Sequence, residues 1–139
     1  MTAALEVVAA AWICVRDRRV LVVRAGGSDA FYLPGGKPEP GETHAEAAAR
    51  EALEEVGIPV DPAGLRPFVT IEAPAHNRPP GTRVRLITFT GDDVSSCHAD
   101  PAPANEIAEL AWFTTADSDR CAPAIQLLLA ELRDANQID

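Results

Sequence analysis

Apolar positions first gather at residues 7–15 and, beyond the polar stretch Arg16-Asp17-Arg18-Arg19, at Val20-Leu21-Val22-Val23. Two short apolar runs separated by a charged tetrapeptide predict two well-buried antiparallel strands joined by a hairpin. Gly26-Gly27-Ser28-Asp29 reads as a turn and Phe31-Tyr32-Leu33 as a short third strand, while residues 34–41 are too rich in Pro and Gly for regular structure. The period then changes. Thr43 and Glu46 stand three apart, the spacing at which a Thr hydroxyl caps a helix while the Glu carboxylate returns to the Thr amide. A helix therefore starts there and runs through Ala-rich sequence to about Val56, where Gly57 takes the left-handed conformation and Pro59 bars continuation. Residues 65–71 and 84–90 have strand character on either side of a Pro-rich loop at 74–81. Residues 107–114 predict another strand, and 122–132 a closing amphipathic helix. The pattern predicts a layered α/β (α+β) fold, a mixed sheet with helices on opposite faces, in one domain over residues 1–139 without repeats or flexible linkers.

Charge narrows the partners. The formal net charge is -9 and Lys37 is the only lysine, which argues against nucleic acid or anionic membrane as a partner, since both require clustered cations. An acidic protein acting on an anion needs a metal cation between them. No basic, apolar leader and no span of membrane length is evident, so a cytoplasmic location is expected. The cysteines, Cys14, Cys97 and Cys121, lack ligand-like spacing and are expected as reduced thiols; Cys97 beside His98 offers only two metal ligands.

The candidate chemistry lies on the central helix. Glu51, Glu54 and Glu55 occupy relative positions zero, three and four and so share one helical face. Such crowding costs an isolated helix a few tenths of a kcal/mol per pair, which a bound divalent cation reverses. An all-oxygen ligand set favours magnesium, with manganese as a substitute, over zinc. In the preceding loop Gly35 and Gly36 permit close backbone approach and can offer a carbonyl to a metal. Arg50, eight residues after Glu42, can pin that loop to the helix and orient the carboxylates.

Gly36, Glu42, Arg50-Glu51, Glu54-Glu55 and Gly57-Ile58 fit the pattern G-x5-E-x7-R-E-U-x-E-E-x-G-U, and Tyr32-Leu33-Pro34-Gly35-Gly36 resembles its usual lead-in. By this box the chain resembles the Nudix (MutT-like) hydrolases. Its seven specified residues would coincide by chance with a probability on the order of one in a million. Ala52 departs from the pattern, standing where a bulkier aliphatic residue is usual, and predicts slightly altered packing under the helix. The resemblance implies an α/β/α sandwich and magnesium-dependent hydrolysis of the pyrophosphate linkage in a nucleoside diphosphate joined to another moiety. Carried over by position, it makes Glu51, Glu54 and Glu55 metal ligands, Gly36 a carbonyl ligand, and Arg50 with Glu42 the orienting pair. It also points to a loop glutamate outside the box, Glu106 first and Glu109 second, as an extra ligand or base.

Beyond the box the candidates are Arg24, Arg83 and Arg85 for phosphate and Phe31, Tyr32 or Phe68 for stacking on a base, with Trp12 and Trp112 read as core. The partner is a small nucleotide, and a homodimer is left open. Members acting on ADP-ribose often carry a proline about sixteen residues after the box, where this chain has Pro74. That favours an ADP-ribose-like substrate over a nucleoside triphosphate of the MutT type. A non-catalytic nucleotide-sensing module is disfavoured because every box carboxylate is present, and a messenger RNA decapping enzyme because there is no basic tail.

Overall fold

The computed structural model describes residues 5–91 and 99–139, so the Cys97-His98 pair lies outside the described residues. The strands are β1 (Glu6–Trp12), β2 (Val15–Arg16), β3 (Arg19–Ala25), β4 (Gly35–Gly36), β5 (Arg66–Pro74), β6 (Arg83–Thr90) and β7 (Ile107–Phe113). The helices are α1 (His44–Val56) and α2 (Pro123–Asp134), with 3-10 turns at Pro62–Gly64 and Thr115–Arg120.

The expected mixed sheet is divided in two. One sheet has the order β4-β1-β6-β5, with β1 and β6 parallel and the outer pairs antiparallel; the other is antiparallel, in the order β2-β3-β7. The division falls inside the first apolar run. Ile13 N–H donates to Phe89 O at 2.8 Å on the first sheet, whereas Cys14 O accepts from Leu21 N–H at 2.9 Å on the second. The predicted hairpin is therefore β2 with β3, turning through Asp17 and Arg18 at φ 53° and 61°, and β1 is not part of it. Residues 10–15 are all buried whichever sheet they belong to, so the run stays apolar and hydropathy alone does not mark the crossing.

Two further expectations change. Phe31 and Tyr32 form only isolated bridges, to Cys121 and Val23, and not a strand. Gly35 and Gly36, expected to be irregular, pair with Ala11 and Ala10 of β1. They do so because they lack side chains: a Cβ on Gly35 would stand 2.5 Å from Ala10 O and 2.8 Å from Ala11 Cα.

Alternation along the strands feeds two cores. Val20 and Val22 of β3 join Ala11, Ile71 and Leu86 beneath Ile125, Leu128, Leu129 and Leu132 of α2. Leu21 and Val23 point the other way, with Trp12, toward Ala52 and Val56 of α1, while Ala10 packs with Ala47 and Ala48. The helices thus cover opposite faces, as the sequence predicts. The alanine-lined face of α1 lets its backbone lie close over β1, bringing its acidic flank to β4.

Cys121 is free and buried, its thiol pushed up to about 12, by burial first and then by the charge of Asp117. Cys14 is disulfide-bonded, so the expectation of reduced thiols fails there. Among the described residues no helix is long and apolar enough to cross a membrane.

Candidate active site

Helix α1 starts and stops where its sequence specifies. Thr43 Oγ1 accepts from Glu46 N–H at 3.1 Å, and Glu46 Oε1 accepts from Thr43 N–H at 2.9 Å. Gly57, at φ 73°, closes the far end by donating to Leu53 O at 3.1 Å. With both ends fixed, the side chains at 51 and 55 are held one turn apart against the glycine loop. Glu55 is 6% exposed and its Oε1 accepts from Gly35 N–H at 3.0 Å. A Cβ on Gly36 would collide with the Glu51 carboxylate, so any other residue there would displace that side chain.

Arg50 organises the surrounding acids. Its Nε and Nη2 grip Glu42 in a two-point bridge at 2.8 and 3.0 Å, and Nη1 reaches Glu51 Oε1 at 3.0 Å and Glu54 Oε2 at 3.4 Å. Nη2 also donates to Lys37 O at 3.2 Å, so one guanidinium ties the loop to the helix, as the spacing predicts. Hydrogen bonding to Arg50, and then to the Glu39 backbone, holds the Glu42 carboxyl at about 2; Arg50 is in turn raised, chiefly by Glu42.

The opposite shift occurs at Glu55. Burial raises its carboxyl, the hydrogen bond with the Glu51 carboxyl adds to the rise, Gly35 N–H opposes it, and the charges of Glu51 and Glu106 raise it further. Two carboxyls in mutual contact must share a proton or a cation. Such an all-oxygen pair, with the Gly36 backbone alongside, suits a hard divalent ion. Glu54 stands apart, its side chain half exposed, and among the described residues no group of three His, Cys, Asp or Glu is already gathered around a metal position.

A cavity of about 320 Å³ opens beside Glu55, Gly35 and Gly36. Its floor is apolar, from Ala9, Ala11, Val84 and Leu86, and Tyr32 and Pro74 also line it. Lys37, His76 and Arg78 also line it, and were not singled out from the sequence. Lys37 carried a signal, being the only lysine and lying within the box; His76 and Arg78 are placed by a loop whose course the sequence does not reveal. That loop is tied down where His76 Nε2 meets Asp29 Oδ1 at 2.7 Å and Asn77 Nδ2 donates to the same oxygen at 3.2 Å.

The other arginine candidates lie elsewhere. Arg24 Nε donates to Glu109 at 3.0 Å and Nη1 to Ser28 O at 3.0 Å, an arrangement that engages both Arg24 and Glu109 away from the cavity. Val84 and Leu86 face the cavity, so the two-residue period of β6 turns Arg83 and Arg85 to the opposite, exposed face. Phe31 is buried against Phe113, with ring centroids 4.8 Å apart, and Phe68 packs at the edge of the same core, which leaves Tyr32 as the one ring of the three at the cavity. Trp12 is core, as expected, and Trp112 is half-buried beneath the Arg16 guanidinium, 5.1 Å from the ring centroid. Ala52, the departure from the box, is fully buried under Trp12, Leu21 and Val23, while Leu53 is exposed.

Known structures share this architecture. A MutT protein from Methanosarcina mazei superposes with a TM-score of 0.73 at 20% identity, over 98% of this chain and 99% of its own. An Ap4A hydrolase from C. elegans gives 0.69 at 20% identity, over 94% and 97%. A bifunctional NMN adenylyltransferase/ADP ribose pyrophosphatase from Francisella tularensis, complexed with AMP and a manganese ion, gives 0.66 at 19% identity, over 96% of this chain and 43% of that one. At these identities the likeness is one of fold. Comparison with curated proteins finds no match. The model of the NUDIX domain, however, matches residues 5–131, nearly the whole chain, and on that ground the chain belongs to the Nudix family of pyrophosphohydrolases.

Proposed function

We propose that this chain hydrolyses the pyrophosphate linkage of a nucleoside diphosphate derivative with the help of a divalent cation, magnesium or manganese. The observation that carries this reading is the Glu51–Glu55 carboxyl pair, set against glycine backbone at the edge of a cavity large enough for part of a nucleotide. Glu51, Glu55 and the Gly36 carbonyl would hold the cation, with Glu54 as a further ligand. When bound, the cation neutralises diphosphate charge and activates water. Arg50 and Glu42 keep Glu51 in place, Lys37 and Arg78 meet phosphate at the cavity, and Glu106, whose charge acts on Glu55, serves as an extra ligand or as base.

The substrate is a diphosphate-linked sugar of the ADP-ribose type. Pro74 borders the cavity, and only Lys37 and Arg78 among its lining residues are cations, a small complement for a triphosphate. A panel of nucleoside triphosphates, dinucleotides and nucleotide sugars with MgCl2, assayed by product mass, tests this. ADP-ribose should have the highest kcat/KM, and a value more than tenfold below that for a triphosphate would overturn the assignment.

A further inference from the structure

The last turn of a helix leaves carbonyls without partners inside the helix. In α1 those carbonyls belong to the residues that carry the candidate chemistry, and the segment leading into β7 takes them up in succession. Asn105 Nδ2 donates to Glu54 O at 2.6 Å, Ala104 N–H to Glu55 O at 3.1 Å and Ala102 N–H to Val56 O at 3.0 Å. Asn105 has φ 55°, the left-handed region that Asn tolerates better than most residues, and the chain passes directly from it into Glu106. On the far side Glu106 O accepts from Gly26 N–H at 2.9 Å, and Ile107 begins β7 and lines the cavity. The Glu106 backbone is thereby held from both sides, to α1 through Asn105 and to the end of β3 through Gly26, while its side chain is exposed. The amide is a neutral donor, so it ties down the helix end without placing a positive charge beside Glu54 and Glu55.

We propose that Asn105 is a positioning residue for the reaction: by latching the segment before β7 to the last turn of α1, it sets Glu106 in register with the Glu51–Glu55 pair. This rests on the role given to Glu106 above.

A double-mutant cycle separates the two ideas. Asn105→Gly keeps the left-handed backbone accessible and removes the side chain with its amide, and Asn105→Asp controls for the added backbone freedom. Asn105→Asp keeps the shape but turns an acceptor toward the Glu54 carbonyl. Each is combined with Glu106→Gln, and kcat, KM and the pH–rate profile are measured with MgCl2, alongside calorimetric titration of substrate-free protein with MnCl2. Asn105→Gly should lower kcat about tenfold with little change in KM, and shift the pH–rate profile and manganese affinity in the same sense as Glu106→Gln. In the Glu106→Gln background the Asn105 changes should have no further effect on kcat. If Glu106→Gln is impaired while Asn105→Gly is wild-type, or if the two losses multiply, the positioning role is overturned and the Glu106 role stands. If Glu106→Gln is itself indistinguishable from wild type, both fall. Should Asn105→Gly fail to fold, Asn105→Asp carries the same comparison.

Discussion

Glu55 combines deep burial, a like-charged neighbour and one backbone donor, and each affects what its replacement would do. Glu55→Gln keeps the acceptor for Gly35 N–H and a donor toward Glu51, and removes the cost of protonating a buried carboxyl. In metal-free buffer near neutral pH the variant should be the more stable, by about 1 kcal/mol or roughly 3 °C in Tm. Its turnover with MgCl2 should fall by about a thousandfold, since a ligand charge is lost. A Tm below that of wild type in EDTA, or retained turnover, would contradict the pairing of Glu51 with Glu55. Arg50→Lys tests the neighbouring bridge: a lysine cannot span both Glu42 oxygens and still reach Glu51, so kcat should drop about tenfold although the charge is kept. Unchanged kcat and unchanged magnesium dependence would remove Arg50 from the site.

At the scale of elements, the Glu42–Arg50 bridge joins the glycine loop to α1 and gives that junction a pH dependence. Because Glu42 is depressed from 4.5 to about 2, its contribution to stability is complete above about pH 4.5 and is lost as pH falls through 2. Urea midpoints between pH 5 and pH 2 should therefore fall less steeply for Glu42→Gln than for wild type, and parallel curves would show that the bridge does not link the loop to folding. The Asp29 clasp on the loop after β5 is a different junction, made by an exposed carboxylate that is not among those bridged by Arg50. Asp29→Ala should raise KM by roughly threefold with kcat unchanged, since it frees only a wall of the cavity. A fall in kcat instead would tie the loop to the chemical step.

For the molecule as a whole, much of the architecture was legible because local signals agreed with it. The Thr43–Glu46 box, Gly57 and the helical spacing of the glutamates located α1 within a residue, and the distance from Glu42 to Arg50 foretold their bridge. What the sequence concealed depends on pairing across long separations. Nothing in residues 7–15 marks the passage from one sheet to the other, and nothing near Arg24 announces that Glu109 will occupy it. The same holds for Lys37, His76 and Arg78, which strand register and loop course bring to one cavity.

Lys37 and Arg78 stand on a chain of net charge -9, and the balance between local attraction and global repulsion can be measured. The Debye length is about 30 Å at 0.01 M salt, long enough for the whole acidic surface to act on an approaching diphosphate, and about 10 Å at 0.1 M, where only nearby charges count. Raising KCl over that range at saturating magnesium should therefore increase kcat/KM by roughly two- to threefold, through faster encounter, while kcat stays constant. A decrease would mean that Lys37 and Arg78 dominate the field at the cavity mouth even at low salt, and that the acidic surface does not hinder the substrate's approach.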